Sequence, residues 1–152
     1  MKQPRISLAN LSDLDDICAI AQRAFKTDRL SRRQFSYLLH SSQNSLVFAV
    51  RSGGKTVGYA VLLMRKNCNW CRIYSLAVER KFQGLGLGKA LTKKAIACAK
   101  AKGLKGVRLE VGCSNRRARR LYQQMGFKDF CCLPEYYEDG GDAMRMEYKF
   151  NS

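Results

Sequence analysis

The segment LAVERKFQGLGLGKAL, Leu76–Leu91, decides the fold of this chain. Its first residues complete a strand pattern and its last residues begin a helical one, so a glycine-rich turn joins a strand to a helix. Such a turn presents unpaired N–H groups and the positive end of a helix dipole, which together bind phosphate. Glycines allow a close approach of phosphate oxygens, and Lys89 adds positive charge. The segment predicts a phosphate-binding turn, with a simple tight turn as the alternative.

Two familiar phosphate motifs do not match this segment. A Walker A loop needs glycine where the chain has Gln83, and a hydroxyl residue where it has Ala90. The dinucleotide fingerprint, begun at Gly84, needs a third glycine where the chain has Lys89. Neither a magnesium-bound nucleotide nor a dinucleotide is supported.

The rest of the sequence predicts one mixed α/β domain over residues 1–152. Hydrophobic periodicity gives the element order β-α-α-β-β-β-α-β-α-β-β. Ser12 is expected to be the N-cap of the first helix, and the second helix is expected to begin near Ser31. The Gly-Gly pair in RSGGK predicts a β-hairpin, and Gly103 predicts the end of the helix after the glycine-rich turn.

The composition is that of a globular protein with a strong positive charge. The chain is 46% hydrophobic and 26% charged, and its 28 Lys and Arg against 12 Asp and Glu give a formal charge of +16. This charge favours a multiply phosphorylated cofactor, nucleic acid, a ribosome or an acidic protein as partner, with a solvated basic surface as the alternative. Because no long apolar run and no signal pattern is found, we expect a cytoplasmic protein without a membrane segment.

The cysteines do not indicate a metal site. Their number, seven, is odd, and without a secretion signal this favours reduced thiols. Cys68 and Cys71 have metal-ligand spacing, but the chain has no second C-x-x-C and a single histidine, His40. We therefore predict no metal.

Three segments carry a resemblance to one family. The glycine-rich segment resembles motif A of the GCN5-related N-acetyltransferases (GNAT), whose Q/R-x-x-G-x-G/A signature is met by Gln83, Gly86 and Gly88. The closing segment EYYEDGGDAMRMEY is similar to the tail of the RimI-like branch, which acetylates protein N-termini. The segment LEVGCSNRRARRLYQQMGFK resembles the next family block, whose N-x-x-A-x-x-L-Y-x-x-x-G-F pattern is met at Asn115, Ala118, Leu121, Tyr122, Gly126 and Phe127.

The resemblance implies a fold and a cofactor. The fold is α/β, with a central, mostly antiparallel sheet, one parallel and splayed strand pair, and about four flanking helices. The cofactor is acetyl-CoA, whose pyrophosphate is held by backbone amides of the glycine-rich turn. The residues implied in cofactor binding are Leu76, Ala77, Val78, Gln83, Gly84, Leu85, Gly86, Leu87, Gly88, Lys89, Ala90, Asn115, Ala118 and Tyr122.

The implied reaction is attack of a primary amine on the thioester of acetyl-CoA. Glu110 is the candidate base, because strand alternation places it with Arg108 on the face opposite Val107 and Leu109. The alternative is that Glu110 only pairs with Arg108 or another cation. A free backbone N–H within residues 76–78 is expected to polarise the carbonyl.

The resemblance implies that Tyr122 is the acid, whereas the residues alone favour a packed tyrosine. A phenol with a pKa of about 10 is protonated at neutral pH and suits the role. A purely packed tyrosine is the alternative. Asn115 is predicted to cap its helix from first principles, and the resemblance adds a contact to the pantetheine or phosphate part of CoA.

The acceptor site is expected near Tyr136 and Tyr137, in a polar segment between strands, with Phe25 on the opposite wall. An aromatic lid over the sheet is the alternative for the two tyrosines. A basic run could reach the 3′-phosphate of CoA, a ribosomal RNA surface or an acidic partner, or form a solvated face. It comprises Arg116, Arg117, Arg119 and Arg120.

The leading functional hypothesis is an acetyl-CoA-dependent N-acetyltransferase that acts on a protein N-terminal α-amine, including that of a ribosomal protein. The enzyme alternative is a lysine side chain or a small-molecule amine as acceptor. The alternative from another class is a non-catalytic module that binds the ribosome or RNA. Direct nucleic acid binding is disfavoured because no aromatic and basic RNA motif is found. Both a monomer and a homodimer are compatible with the sequence.

Overall fold

The computed structural model of the chain describes residues 4–151. The prediction of one domain over 1–152 therefore includes residues 1–3 and 152, which lie outside the described range. The predicted order of helices and strands is confirmed. The strands are β1 (Arg5–Leu8), β2 (Ser45–Ser52), β3 (Lys55–Leu63), β4 (Trp70–Val78), β5 (Gly106–Gly112), β6 (Lys128–Leu133) and β7 (Ala143–Lys149), and the helices are α1 (Leu14–Ala24), α2 (Arg32–His40), α3 (Leu87–Ala101) and α4 (Arg116–Gln124).

The strands form one sheet of seven, in the order β1-β2-β3-β4-β5-β7-β6. Every neighbouring pair is antiparallel except β4 and β5, which are parallel. The parallel pair follows from the connection, because α3 carries the chain from the end of β4 back to the start of β5. The predicted fold class, including about four helices within residues 4–151, is confirmed.

The sheet has a hydrophobic core on each face. On one face, Leu91 and Ala95 of α3 pack with Val107 and Leu109 of β5. The other face packs against α1 and α2, in a cluster that includes Phe35. The centre of the sheet is thus buried on both sides. Among the helices of residues 4–151, none combines the length and the apolarity that a membrane span requires.

The starts of the first two helices differ from each other. Ser31 caps α2 as predicted, in a capping box with Gln34. Ser12 as the cap of the first helix is wrong, because a 3₁₀ turn over Leu11–Asp13 precedes α1. Asn10 caps this turn, with its side chain accepting from the Ser12 N–H at 2.9 Å. The capping oxygen thus lies two residues before the predicted position.

Candidate active site

The strands β4 and β5 separate partway along their length. Their parallel pairing runs from Trp70 opposite Gly106 to Ile73 opposite Leu109, and beyond this point β4 pairs with β3 and β5 with β7. A cleft of about 700 Å³ opens at the split. Eight residues that the sequence predicts for the site line this cleft: Phe25, Leu76, Glu110, Asn115, Ala118, Tyr122, Tyr136 and Tyr137.

The glycine-rich turn follows the end of β4. Gly84 and Gly86 have φ values of 82° and 81°, the left-handed region that favours glycine. A Cβ at either position would meet no atom within 4 Å among the described residues, so the loop surface is open. The Gln83 side-chain amide donates to the Val78 carbonyl at 3.1 Å and ties the loop to the strand. Exposed Leu85 completes a turn whose backbone faces outward.

The N-terminus of α3 presents its first amides at this loop. Gly86 is the N-cap and has no side chain to accept from them. Ala90 is the first residue of α3 whose N–H reaches the Gly86 carbonyl, at 2.9 Å. The N–H groups of residues 87–89 therefore precede the first helical hydrogen bond, and the dipole adds positive potential. Exposed Lys89 contributes a charge in the same turn. Such a turn fits a pyrophosphate group.

The second half of β4 directs backbone amides toward the cleft side. The Glu79 N–H donates to the Val57 carbonyl of β3 at 2.8 Å. Because donors alternate along an antiparallel strand, the N–H groups of Leu76 and Val78 point away from β3, toward the gap left by β5. The side chain of Ala77, also predicted for the cofactor site, packs into the core beside α1. By the same alternation the N–H of Ala77 points to β3, so neither its side chain nor its N–H faces the cleft.

Glu110 is held between two arginines. Its Oε1 accepts from Arg72 Nε at 2.8 Å, and its Oε2 accepts from Arg145 Nε at 2.9 Å. Its side chain is only 5% exposed. The predicted alternative, pairing with Arg108 or another cation, is met by Arg72 and Arg145, while Arg108 pairs with Glu147 at 2.6 Å. Oε1 also lies 2.5 Å from Arg72 Nη2, so Oε2, with a single N–H partner, keeps a lone pair for a third partner.

Tyr122 lies on α4 with its ring buried and its surface in the cleft. The ring packs edge-on against Phe127, with centroids 5.6 Å apart. Burial alone raises the pKa of Tyr122 to about 12. The phenol thus keeps its proton between about pH 8, where an α-amine becomes neutral, and its own pKa of about 12.

The start of α4 combines capping with cleft lining. Asn115 Oδ1 accepts from the Ala118 N–H at 3.2 Å, so the predicted cap is confirmed. Of the basic run, Arg119 is used within the fold, since it binds the Cys113 carbonyl and Asp129. The three other arginines of the run, at positions 116, 117 and 120, are exposed.

Two loops face each other at the outer end of the cleft. The β6–β7 loop carries Tyr136 and Tyr137, whose rings pack edge-on at 5.0 Å. The α1–α2 loop begins at Phe25. A hydrogen bond of 3.1 Å from the Glu138 N–H to Asp28 Oδ2 joins the two loops. Their walls therefore form a connected mouth that leads inward to the split.

Sequence reasoning did not single out Arg72 and Arg145. Arg72 also donates to the Tyr136 hydroxyl at 3.0 Å, so it links the candidate base to the mouth. Burial opposes the charge of Arg72, but the charge of Glu110 and its hydrogen bond raise the pKa of Arg72 above its usual range. The missing signal is strand order, because Arg145 lies directly opposite Glu110 only once β7 is known to pair with β5.

The cysteines stay as thiols within the described chain. All seven are unpaired, and Cys71 is buried, which raises the pKa of its thiol to about 12. Cys68, its partner in the C-x-x-C pattern, is exposed. Residues 4–151 contain no group of three or more metal-ligating side chains placed to hold an ion.

A sheet with one splayed parallel pair, followed by an open glycine turn and a helix N-terminus, defines the GNAT class of acetyltransferase fold. Comparison with known proteins gives the same class, since residues 11–127 match the acetyltransferase (GNAT) family. The chain belongs to this family and is an acetyl-CoA-dependent N-acetyltransferase.

Relatives extend the similarity over nearly the whole chain. The chain is 36% identical over 142 residues to an uncharacterised N-acetyltransferase of Methanocaldococcus jannaschii. The aligned region covers 88% of this chain and 84% of the relative. The chain is 30% identical over 161 residues to an N-alpha-acetyltransferase of Sulfurisphaera tokodaii, covering 95% and 92%. The solved ribosomal-protein-S18-alanine N-acetyltransferase of Escherichia coli superposes with a TM-score of 0.85 at 28% identity, covering 99% and 96%.

Proposed function

We propose that the protein acetylates the α-amine of protein or peptide N-termini. The observation that carries this proposal is the connected mouth between the α1–α2 and β6–β7 loops, which leads to Glu110 and Tyr122. A chain end fits such an approach, because an extended terminus can enter between two walls and bring its amine to the split first. The names of the relatives from Sulfurisphaera tokodaii and Escherichia coli support the same acceptor class.

The residues of the glycine-rich turn and of β4 are assigned to acetyl-CoA. The amides of residues 87–89 hold the pyrophosphate, with Lys89 as an added charge. The N–H groups of Leu76 and Val78 orient the thioester carbonyl and stabilise negative charge on its oxygen. Asn115 uses Oδ1 as a helix cap, which leaves its amide nitrogen to donate to the pantetheine arm. Bound in this way, acetyl-CoA supplies the acetyl group.

Glu110 is assigned the role of base, acting through a water molecule. Both of its oxygens already accept from arginines, so direct contact with the amine is less favourable than a relay from a remaining lone pair. An α-amine with a pKa of about 8 needs only modest help to lose its proton. Arg72 and Arg145 fix the carboxylate in place.

Tyr122 is assigned the role of acid. As the amine nitrogen bonds to the acetyl carbon, the carbon–sulfur bond breaks and the thiolate needs a proton. Tyr122 lines the cleft, and its hydroxyl keeps its proton because its pKa of about 12 lies far above the working range. The two proton carriers thus sit on different elements, β5 and α4, and both line the cleft.

An acceptor screen tests the proposal. Release of CoA is measured with lysine-free peptides that carry a free α-amine, and with lysine-containing peptides whose N-terminus is blocked. We expect turnover with the first set alone. Turnover with the blocked peptides alone would assign a lysine side chain instead, and turnover only with small amines would assign a metabolite acceptor. A reaction without enzyme serves as the control for enzyme-independent release of CoA.

A further inference from the structure

A second groove continues from the mouth of the cleft across the surface. It has a volume of about 900 Å³ and lies between α2 and the turn from β3 to β4. Leu30, Gln34 and Tyr74 line both this groove and the cleft, so the two are continuous. We call it the α2 groove.

The α2 groove carries positive charge only. The charged residues that line it are Arg33, Arg65 and Lys66, all exposed. Within residues 4–151 none of the three forms a salt bridge. The cleft itself differs, because Asp28 and Glu110 are among the carboxylates that line it. The lining of the groove thus presents a positive potential that no carboxylate within that lining offsets.

A β-bulge sets the junction between groove and cleft. Val61 of β3 pairs with Ser75 of β4, but the next residue, Leu62, pairs with Ile73. Tyr74 is therefore the extra residue of β4, and a bulge turns such a side chain out of the regular alternation. The Tyr74 ring is 41% exposed at the point where groove and cleft meet.

A second tyrosine faces the same groove. Tyr37 of α2 is 55% exposed and lines the groove with Tyr74. The Arg72 guanidinium lies 5.2 Å from the centroid of the Tyr74 ring, which holds that ring beside the mouth. Exposed aromatic rings beside unpaired cations are the features of a surface that binds an acidic peptide.

We infer that the α2 groove binds the acceptor chain beyond its first residues and selects acceptors with acidic side chains there. This inference rests on the proposed function, because the cleft must take the amine end of the same chain. Asp and Glu side chains of the acceptor pair with Arg33, Arg65 and Lys66, while Tyr37 and Tyr74 contact its backbone and apolar groups. Each exposed pair contributes weakly, so we expect the three together to change KM by about tenfold.

Two matched peptides test the inference. Both begin with the same lysine-free residues and a free α-amine, but one continues with Asp and Glu and the other with Ser and Gln. We expect the wild-type KM to be about tenfold lower for the acidic peptide. The Arg65→Glu/Lys66→Glu variant should reduce this preference below about threefold. The Lys55→Glu/Lys128→Glu variant makes the same charge change at exposed positions outside the groove and should retain the preference.

Peptide binding, measured by fluorescence anisotropy beside the KM values, separates the inference about the α2 groove from the proposed function. Equal KM values for both peptides would overturn the inference and leave the proposed function intact. Binding of the acidic peptide that depends on Arg65 and Lys66, without acetylation of its α-amine, would support the groove and overturn the proposed function. Loss of single-stranded RNA retention in the groove variant, with an unchanged peptide preference, would identify a nucleic-acid surface and overturn the inference.

Discussion

Replacing Tyr122 by phenylalanine tests the proposed acid directly, because the change removes one hydroxyl and keeps the ring. The ring contact with Phe127 at 5.6 Å is preserved. Burial raises the pKa of Tyr122, and the substitution keeps the buried ring in place. We therefore expect the free energy of unfolding to change by less than about 1 kcal/mol, or the Tm by less than about 4 °C.

The effect on catalysis should be far larger than the effect on stability. A positioned general acid contributes at least about 100-fold, which corresponds to about 2.7 kcal/mol of transition-state stabilisation. We expect kcat to fall by this factor while the Kd of acetyl-CoA stays within about threefold. Steady-state release of CoA gives kcat, and calorimetric titration gives the Kd. In the wild type, turnover should rise through pH 8 as the amine loses its proton. Deprotonation of Tyr122 should not lower turnover up to about pH 10, because its pKa is about 12.

The matched control is Tyr148→Phe. The Tyr148 ring also packs edge-on against Phe127 at 5.6 Å, but Tyr148 lies on β7, outside the lining of the cleft. The Tyr148→Phe variant should retain the wild-type kcat. A kcat of Tyr122→Phe within about threefold of that control, at equal Tm, would refute the acid role and assign the tyrosine to packing.

Three further substitutions test other parts of the site and fold. Glu110→Gln should lower kcat at least tenfold at pH 7 and less at pH 9, where the amine is already neutral. The control variant Glu147→Gln should keep the wild-type kcat. If Glu110→Gln and the wild type had pH profiles of the same shape, Glu110 would not be the base. Gly86→Ala places a side chain at φ 81°, which costs about 1–2 kcal/mol of backbone strain. The Kd of acetyl-CoA, measured by calorimetry, should therefore rise while the KM of the peptide stays constant. An unchanged Kd would exclude the turn from acetyl-CoA binding. Asp13→Asn should lower the free energy of unfolding by about 3 kcal/mol at pH 7, since it breaks a buried pair with Arg51. Burial opposes the charge of Asp13, but hydrogen bonds lower its pKa below the ordinary 3.8. The stability that the ionised Asp13 contributes is therefore lost as the pH falls below 3.8, and the difference in free energy of unfolding between variant and wild type, measured in urea, should narrow there. A difference that widened at low pH would contradict the ion pair.

The order of the elements was predictable because it depends on local patterns. Alternating apolar residues predict strands, apolar residues at helical spacing predict helices, and the glycines at 84, 86 and 103 mark turns that need positive φ. The one misplaced boundary, the cap of the first helix, also has a local cause, since the 3₁₀ turn moves the cap back to Asn10.

The motif also predicted the arrangement of strand, glycine turn and helix next to the cleft. Strand, glycine turn and helix are consecutive in the chain, so their mutual geometry follows from a short segment alone. Glu110 and Tyr122 line one cleft as the family pattern implies, although their roles stay predictions until the variants are measured.

By itself, the sequence determined the fold class, the family and the cofactor, because each is encoded in residues that are neighbours along the chain. Only the tertiary structure decided what surrounds Glu110 and where the α2 groove meets the cleft. Arg72 and Arg145 reach Glu110 from separate strands, and the bulge at Tyr74 depends on the register of β3 against β4. Register is set by packing between segments far apart in sequence, and no local pattern carries it.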